Sequence, residues 1–290
     1  MKATMKEVTI VVPTYNRSAI VVETLRTLLA LDPPAHEIIV VDQTPAATGQ
    51  LQRWHEQGRI TWVRTSPPSI PRAMNTGLRL AKTELVLFLD DDVAPVRGVV
   101  AAHAAVYEDE SVAAVVGQCL QPGEEPAHFA QPARAHQGIP DLELHFNHDT
   151  ALDVRNVIAM NLSVRREKAL EIGGFDENFV YVAYRFETDF ALRLKGRIRF
   201  EPKASVRHLR LATGGTRAYG DHKTSAHPAH SVGDYYFALR HAPNVTSYVL
   251  DRLRRNVLTR YHATHPWTIP GKLLGELRGL LLARSLIADR

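Results

Sequence analysis

Over the first 120 residues, short runs rich in Val, Ile and Leu alternate with longer stretches in which apolar residues recur every three or four positions. The runs are EVTIVVP (7–13), EIIVV (37–41), RITWVR (59–64), ELVLFLD (84–90) and VAAVVGQ (112–118), and the helical stretches lie around 17–31, 47–57, 72–82 and 97–108. Strand and helix in strict succession predict a mostly parallel, doubly wound α/β sheet flanked by helices. Ligands of such sheets bind beyond the carboxyl ends of the strands. Three of those ends carry polar chemistry: Pro13-Thr14-Tyr15-Asn16, Asp42-Gln43-Thr44 and Asp90-Asp91-Asp92.

Periodicity weakens over 121–155, a stretch rich in Pro, His and acidic residues that reads as a long, specificity-bearing connection. Order resumes at NVIAMNLSVRREKALEIGGFDE (156–177), predicted as a strand, a helix and a turn in which Gly173-Gly174 permits backbone angles that other residues resist. An amphipathic helix follows in YRFETDFALRLK (184–195), then two short strands near 197–201 and 204–208. Residues 212–230, rich in Gly, His and basic groups without apolar anchors, read as a mobile loop. The last sixty residues are predicted helical. Their final segment mixes Leu273, Leu274, Leu277 and Leu281 with Lys272, Arg278 and Arg284, which suits an interfacial amphipathic helix or one docked on the main domain. The expected division is an α/β domain over 1–230 and a helical C-terminal extension over 231–290.

A chain of 290 residues that is 45% hydrophobic can bury a substantial core. Its net charge of +4 is unevenly placed: nine Lys/Arg and four Asp/Glu fall in 232–290, so the remainder is close to neutral. Without a basic field or an aromatic motif in the body of the chain, nucleic-acid binding is not expected. One cysteine, Cys119, excludes an internal disulfide and a thiolate metal cage; its apolar neighbours make it a core filler. The amino end enters a strand at once with no signal-peptide pattern, and no stretch reaches the ~18 apolar residues of a membrane span. A cytoplasmic location is expected, with peripheral contact to the inner face of a membrane where the C-terminal helices supply it.

The junction ELVLFLDDD (84–92) carries the most chemical information. Charges are not accommodated inside a sheet, so a buried strand ending in three acids sets them at its rim. At an effective dielectric near 20, carboxylates about 5 Å apart repel by roughly 3 kcal/mol. A hard divalent cation compensates best, because Mg2+ and Mn2+ prefer carboxylate oxygens and phosphate oxygens can complete their octahedron. The alternative is a solvated loop, with Asp at a turn or capping the helix that starts near Pro95.

In this order over about residues 7–210, the segments IVVPTYNR, IIVVDQT, MNTGLRLA, VLFLDDDVAP, GGFDE and ETDFALRL resemble the inverting family-2 glycosyltransferases of the GT-A fold. The resemblance implies transfer of a sugar from a nucleoside diphosphate donor to an acceptor hydroxyl, with inversion at the anomeric carbon and help from Mn2+ or Mg2+. It implies that Asp42 reads the imide of a uracil or thymine ring, favouring UDP or dTDP over GDP, with a turn-forming Asp as the alternative. Pro13, Thr14, Tyr15 and Asn16 would line the base and ribose pocket. Asp90 would lie toward the ribose and Asp91 beside the donor sugar. The metal ligands implied are Asp92, Asp90 and His208, and their cation would neutralise the leaving diphosphate; an ordinary surface histidine is the alternative for His208.

For the general base the resemblance implies a carboxylate opening the 184–195 helix, where relatives commonly carry Asp preceded by Glu. Glu187 is the first candidate and Asp189 the second, although a place beside the apolar face suits Asp189 to bracing the helix. Arg217 and Lys223 would clamp the diphosphate about a Gly214-Gly215 hinge. Many relatives carry Arg before the Asn of IPRAMNTGL; Met74 stands there in this chain, which leaves Asn75 as a loop anchor on the donor side. Asn161, Gly174, Phe175 and Asp176 match the acceptor-side turn, Asp176 either binding a sugar hydroxyl or capping the turn.

The expected partners are a nucleotide-sugar donor and a carbohydrate, lipid-linked or small-molecule acceptor, with cell-envelope or exopolysaccharide synthesis as one setting. A nucleotidyltransferase would share the sheet and the metal but needs a Gly-rich basic loop after the first strand, where this chain reads PTYNRS. A non-catalytic nucleotide-sugar or carbohydrate-binding protein of the same fold is the other alternative. The presence of both the acid cluster and a candidate base speaks against it.

Overall fold

The computed structural model describes residues 5–46, 49–209 and 219–288. Its first half is the predicted succession: β1 (Val8–Thr14), α1 (Ser18–Leu28), β2 (Glu37–Asp42), α2 (Gly49–Glu56), β3 (Thr61–Arg64), α3 (Ile70–Leu80), β4 (Leu85–Leu89), β5 (Val93–Pro95), α4 (Val99–Val106) and β6 (Val112–Leu120). There follow β7 (Ala133–His136), β8 (Ile139–Leu144), β9 (Leu152–Val154), β10 (Asn161–Arg165), α5 (Arg166–Glu171), α6 (Phe186–Arg193) and β11 (Arg197–His208). The carboxyl-terminal helices are α7 (Val232–His241), α8 (Val245–Val257), α9 (Arg260–Thr264) and α10 (Ile269–Ala288).

The main sheet runs β3-β2-β1-β4-β10-β6-β11-β5, with β9 beside β11. Because β1 is parallel to both β2 and β4, the order of strands reverses at β1 and a crevice opens beyond its carboxyl end. Side-chain alternation feeds two cores: Val11, Val86 and Phe88 face one side, while Ile10, Val12, Leu85, Leu87 and Leu89 face the other. With both faces covered, β4 is buried throughout, and the acids begin where it ends. The mostly parallel α/β architecture expected from the sequence is the one observed.

Three details differ from the sequence expectation. Within 121–155, β7 and β8 form a hairpin whose turn residues, Gln137 and Gly138, both have positive φ (50° and 75°), the geometry of a tight two-residue connection. The two strands expected at 197–201 and 204–208 are one, β11, with a register irregularity between Glu201 and Ser205. Pro202 has no N–H to offer the ladder, and the Asn161 amide donates to the displaced Ala204 carbonyl at 2.8 Å. The third difference concerns α10, whose buried face is Lys272, Gly275, Glu276, Gly279 and Ala283. Glycine allows that close approach, since a Cβ at Gly279 would fall 2.0 Å from Ser231 Oγ. Leu273, Leu274, Leu277 and Leu281 therefore face outward, 41–55% exposed.

The carboxyl-terminal helices share the main core, with Tyr235, Tyr236 and Phe237 of α7 in the same cluster as Phe88 and Phe175. Cys119 is buried as a filler of the opposite core. Among the described residues no helix is long and apolar enough to cross a membrane. Phe175 joins sheet to helix, meeting Phe88 edge-on at 5.3 Å and stacking on Phe190 of α6 at 4.3 Å. Phe175→Ala should therefore destabilise the protein by about 3–5 kcal/mol in urea unfolding followed by circular dichroism. A loss well under that would show that this aromatic joint does not hold α6 to the sheet.

Candidate active site

A cavity of about 230 Å³ opens in the crevice beyond β1 and β4. Pro13, Thr14 and Tyr15 form one wall, Asp90, Asp91 and Asp92 the floor, His208 a side, and Tyr181 and Tyr219 an aromatic rim. The segment after β1 turns sharply at Asn16 (φ 54°), which swings Arg17 back over the acids.

The three acids have different surroundings. Asp91 accepts hydrogen bonds from Thr14 Oγ1 (2.6 Å) and Arg17 Nη1 (2.8 Å), and its carbonyl accepts from Thr24 Oγ1 (2.7 Å). Asp92 faces Arg17 Nη1 at 3.1 Å and His208 Nε2 at 3.3 Å. Burial raises the pKa of Asp91 above the usual carboxylate range, with Arg17 and Thr14 opposing. Asp90 is pushed up to about 7, first by burial, then by the charges of Asp91 and Asp92. Arg17 thus compensates part of the cluster and leaves a deficit of positive charge at Asp90.

Asp90, Asp92 and His208 each offer a ligand atom, and these atoms lie within 4.8 Å of one another. His208 Nδ1 donates to Gln121 Oε1 (3.0 Å), which fixes the tautomer and leaves the Nε2 lone pair for the cluster. Two carboxylates and an imidazole at the floor and side of this cavity fit Mn2+ or Mg2+, whose charge would relieve the repulsion that raises Asp90. Another grouping, His128, His148 and Asp149, is comparably close. There His148 Nδ1 already accepts from the Phe129 amide (3.3 Å) and Asp149 from Thr150 Oγ1 (2.8 Å).

Glu187 lies in the first turn of α6, beyond a segment in which Tyr181, Ala183 and Arg185 all have positive φ (59°, 57° and 72°). Non-glycine residues in this region cost on the order of 1 kcal/mol each and need surrounding support. Here α7 supplies it: Gly233 lies against Tyr184, where a Cβ would come within 2.5 Å of the carbonyl oxygen, and Asp234 accepts from Arg185 Nε at 3.1 Å. Burial raises the Glu187 pKa to about 7, while its own amide and that of Ala159 pull the other way. Its carboxylate lines a second cavity of about 430 Å³, and its charge is felt at Asp90.

The sequence model of the glycosyl transferase family 2 matches residues 9–173. The chain belongs to glycosyl transferase family 2. Among curated protein sequences none matches it significantly. In three dimensions this family-2 chain is similar to residues 1–349 of TarS from S. aureus in complex with UDP-GlcNAc, with a TM-score of 0.61 and 16% identity over 98% of this chain and 88% of that one. It is similar to the mannosyltransferase PcManGT from Pyrobaculum calidifontis in complex with GDP-Man and Mn2+, with a TM-score of 0.56 and 23% identity over 99% and 80% of the two chains. GalNAc-T7 with UDP, GalNAc and Mn2+ gives 0.53 and 14% over 88% and 55%. The chain spans 36% of a longer TarS chain. At these identities the likeness establishes the fold, which is GT-A.

Several family-derived expectations need correction. Asp42 does not line the cavity: strand alternation turns it beneath the rim, where it accepts from the Thr44 amide (2.9 Å) and Trp62 Nε1 (3.2 Å). The preference for uracil or thymine loses its support, and the neighbouring Gln43 lines the cavity instead. Asn16 is exposed outside the cavity wall, its amide donating to Thr44 Oγ1 (2.9 Å). Asn75 is buried and braces a turn, exchanging hydrogen bonds with the Phe175 amide and carbonyl (both 2.8 Å). The Gly174 φ of 70°, and a Cβ position 2.3 Å from Asn75 Oδ1, explain the glycine.

The acceptor set is structural as well. Asn161 is fully buried, bonded to His103 (2.9 Å) and to the Gln118 (3.1 Å) and Ala204 carbonyls, and Phe175 is core. Asp176 accepts from Tyr236 Oη (3.0 Å) and pairs with Arg240. Asp189 is fully buried between Arg193 (2.7 Å), Arg240 (2.8 Å) and His241 (2.7 Å) and lines neither cavity, an environment that suits it to bracing α6. Lys223 lies over the Tyr261 ring at 5.1 Å and does not line the cavity of the three acids; Arg217 and Gly214-Gly215 fall outside the described residues. Sequence reading assigned no role to Arg17, Gln43, Gln121, Tyr181 and Tyr219. Two of them had a local signal: Gln43 lies in a polar strand end, and Arg17 is a cation three residues beyond the end of β1.

Two outcomes test this arrangement. Asp189→Asn should cost about 3–5 kcal/mol in urea unfolding at neutral pH, because it leaves buried cations uncompensated. Burial raises the Asp189 pKa, but the hydrogen bond from His241 and the charges of Arg193 and Arg240 outweigh it and hold the group below the ordinary value, so its stabilisation is present above that value and fades as pH falls through it. Unchanged stability would return Asp189 to contention as a base. Gln121→Ala should weaken Mn2+ binding by about 10–100-fold in calorimetric titration, and an unaltered affinity would remove His208 from the ligand set.

Proposed function

We propose that this chain transfers a sugar from a nucleoside diphosphate sugar to an acceptor hydroxyl, with inversion at the anomeric carbon. The observation that carries the reading is the pairing of the Asp90, Asp92 and His208 group with Glu187, a carboxylate of raised pKa coupled to that group but facing a different cavity. Mn2+ or Mg2+ held by Asp90, Asp92 and His208 would neutralise the charge that develops on the departing diphosphate.

The chain's own residues divide the remaining work. Pro13, Thr14, Tyr15 and Gln43 frame the donor cavity, and Arg17 with Thr14 holds Asp91 in place beside it. Glu187 takes the proton of the acceptor hydroxyl; a base is most effective when its pKa lies near the working pH. One displacement needs one base, which is the support for inversion. The outward leucines of α10, together with Trp267 at 71% exposure, support a peripheral contact with a lipid surface as part of the same reading.

Transfer in the wild-type protein should rise with pH through about 7, as Glu187 loses its proton. Glu187→Gln should keep Mn2+-dependent nucleotide binding and lose about 10²–10⁴ in turnover, read as nucleoside diphosphate release across UDP-, dTDP- and GDP-sugars. The same variant has a stability signature. A carboxylate whose pKa is raised on folding lowers stability above the folded value and leaves it untouched below the unfolded one, so Glu187→Gln should raise Tm at pH 8 and leave it unchanged at pH 4. Full transfer by this variant would remove the base role, and Mn2+-dependent nucleotide binding by wild type without turnover would favour a binding protein.

A further inference from the structure

The second cavity, about 430 Å³, has the volume of a small-molecule site. Four cations line it, Arg185, Arg252, Arg255 and Lys272, against two carboxylates, Glu187 and Asp234. Asp234 is already engaged by Arg185 Nε (3.1 Å), Tyr248 Oη (2.9 Å) and Arg252. The acids that balance the other cations stand behind the wall: Glu276 holds Arg252 (2.9 Å) and Lys272 (2.7 Å), and Asp251 holds Arg255 (2.8 Å). The inner surface is therefore rich in donors although the whole network is nearly balanced.

Two of these groups lack a complete set of partners. Arg255 pairs with Asp251 through Nε (2.8 Å), is 43% exposed, and makes no side-chain hydrogen bond through its terminal nitrogens to the described residues. His230 Nε2 donates to the Gly220 carbonyl (2.9 Å), while its buried Nδ1 has no hydrogen-bond partner. A guanidinium fork suits a phosphate, and an unpaired imidazole nitrogen suits a hydroxyl. Donors converge from three elements, the start of α6 (Arg185), α8 (Arg255) and α10 (Lys272), which fits an oxyanion with several acceptor oxygens.

We propose that this cavity binds the acceptor, and that the acceptor carries a phosphate group held by Arg255 and Lys272 while its hydroxyl lies at Glu187. The inference rests on Glu187 being the base. In the step itself, the acceptor oxygen bonds to the anomeric carbon and its proton passes to Glu187. The anomeric carbon–oxygen bond breaks with its electron pair leaving on the diphosphate. A soluble sugar phosphate and a lipid diphosphate-linked sugar share the required chemistry.

Two measurements on the full chain test this. The first is calorimetric titration with inorganic phosphate in the presence of EDTA, on wild type, Arg255→Gln and Arg255→Lys. Binding to wild type that weakens about tenfold or more in Arg255→Gln and is partly restored in Arg255→Lys supports the proposal; no binding, or equal binding to all three, overturns it. Arg255 is 43% exposed, so the fold should tolerate the change, and circular dichroism checks this. The second compares kcat/KM for a hexose 1-phosphate, a short-chain isoprenyl diphosphate-linked hexose and the free hexose. Preference for either phosphate-bearing acceptor, falling about tenfold in Arg255→Gln, supports the proposal, and use of the soluble or the lipid-linked compound identifies the source. Equal use of the free hexose overturns it. Absence of nucleoside diphosphate release from every donor would instead overturn the glycosyltransfer reading, and the phosphate titration still decides whether the cavity binds an anion.

Discussion

Mutual repulsion among Asp90, Asp91 and Asp92, held at the end of a strand with no freedom to retreat, is the constraint around which the cavity beyond β1 and β4 is organised. β4 is buried on both faces and pinned between β1 and β10, so its register fixes where the acids emerge. Arg17 and Thr14 stabilise Asp91, and Arg17 and His208 face Asp92. What they leave uncompensated appears at Asp90, whose pKa rises to about 7. An open α/β sheet can present such a site only at a reversal of strand order, where the helices part and a cavity remains.

A second set of charges serves the opposite purpose. Asp176 and Asp189 share Arg240, while Asp234 and Glu276 share Arg252, and these buried pairs tie α6, α7, α8 and α10 together. Buried pairs are weak sources of net stability but are strongly unfavourable to break, so they fix geometry. The geometry they fix is the left-handed stretch before α6, and with it the position of Glu187. The carboxyl-terminal helices thus do more than extend the sheet domain. They supply the support for the candidate base and one side of the wall it faces, through Asp234, Arg252, Arg255, Asn256 and Lys272.

Much of the fold was legible because its signals are local. The apolar runs of β1, β2, β4 and β6 and the periodic helices between them need no tertiary information to be recognised. The acid cluster was legible for the same reason, since a charge directly after a buried strand has only the rim to occupy. The failures arise where identity depends on a partner distant in sequence. Asn161 looks like a site residue until the Ala204 carbonyl it satisfies is known, and Asp176 until Arg240 is known. Asp42 looks like a ligand-reading carboxylate until Trp62 is found beside it. The leucines of α10 left open an interfacial helix or a docked one; the docked face is formed by glycines and a buried Lys272–Glu276 pair, because close approach to α7 and the 225–231 segment requires small residues, and the leucines face outward. Gln121 and Tyr219 carry no local signal at all.

The central claim is that the acids at the end of β4 and the histidine at the end of β11 form one cation site serving a nucleoside diphosphate. Anomalous diffraction at the manganese edge, from crystals of the protein grown with UDP and Mn2+, tests it most directly. The account predicts one strong peak within coordination distance of Asp92, His208 and the diphosphate oxygens. A manganese peak elsewhere, or a bound nucleotide with the three acids facing away from it, would contradict it.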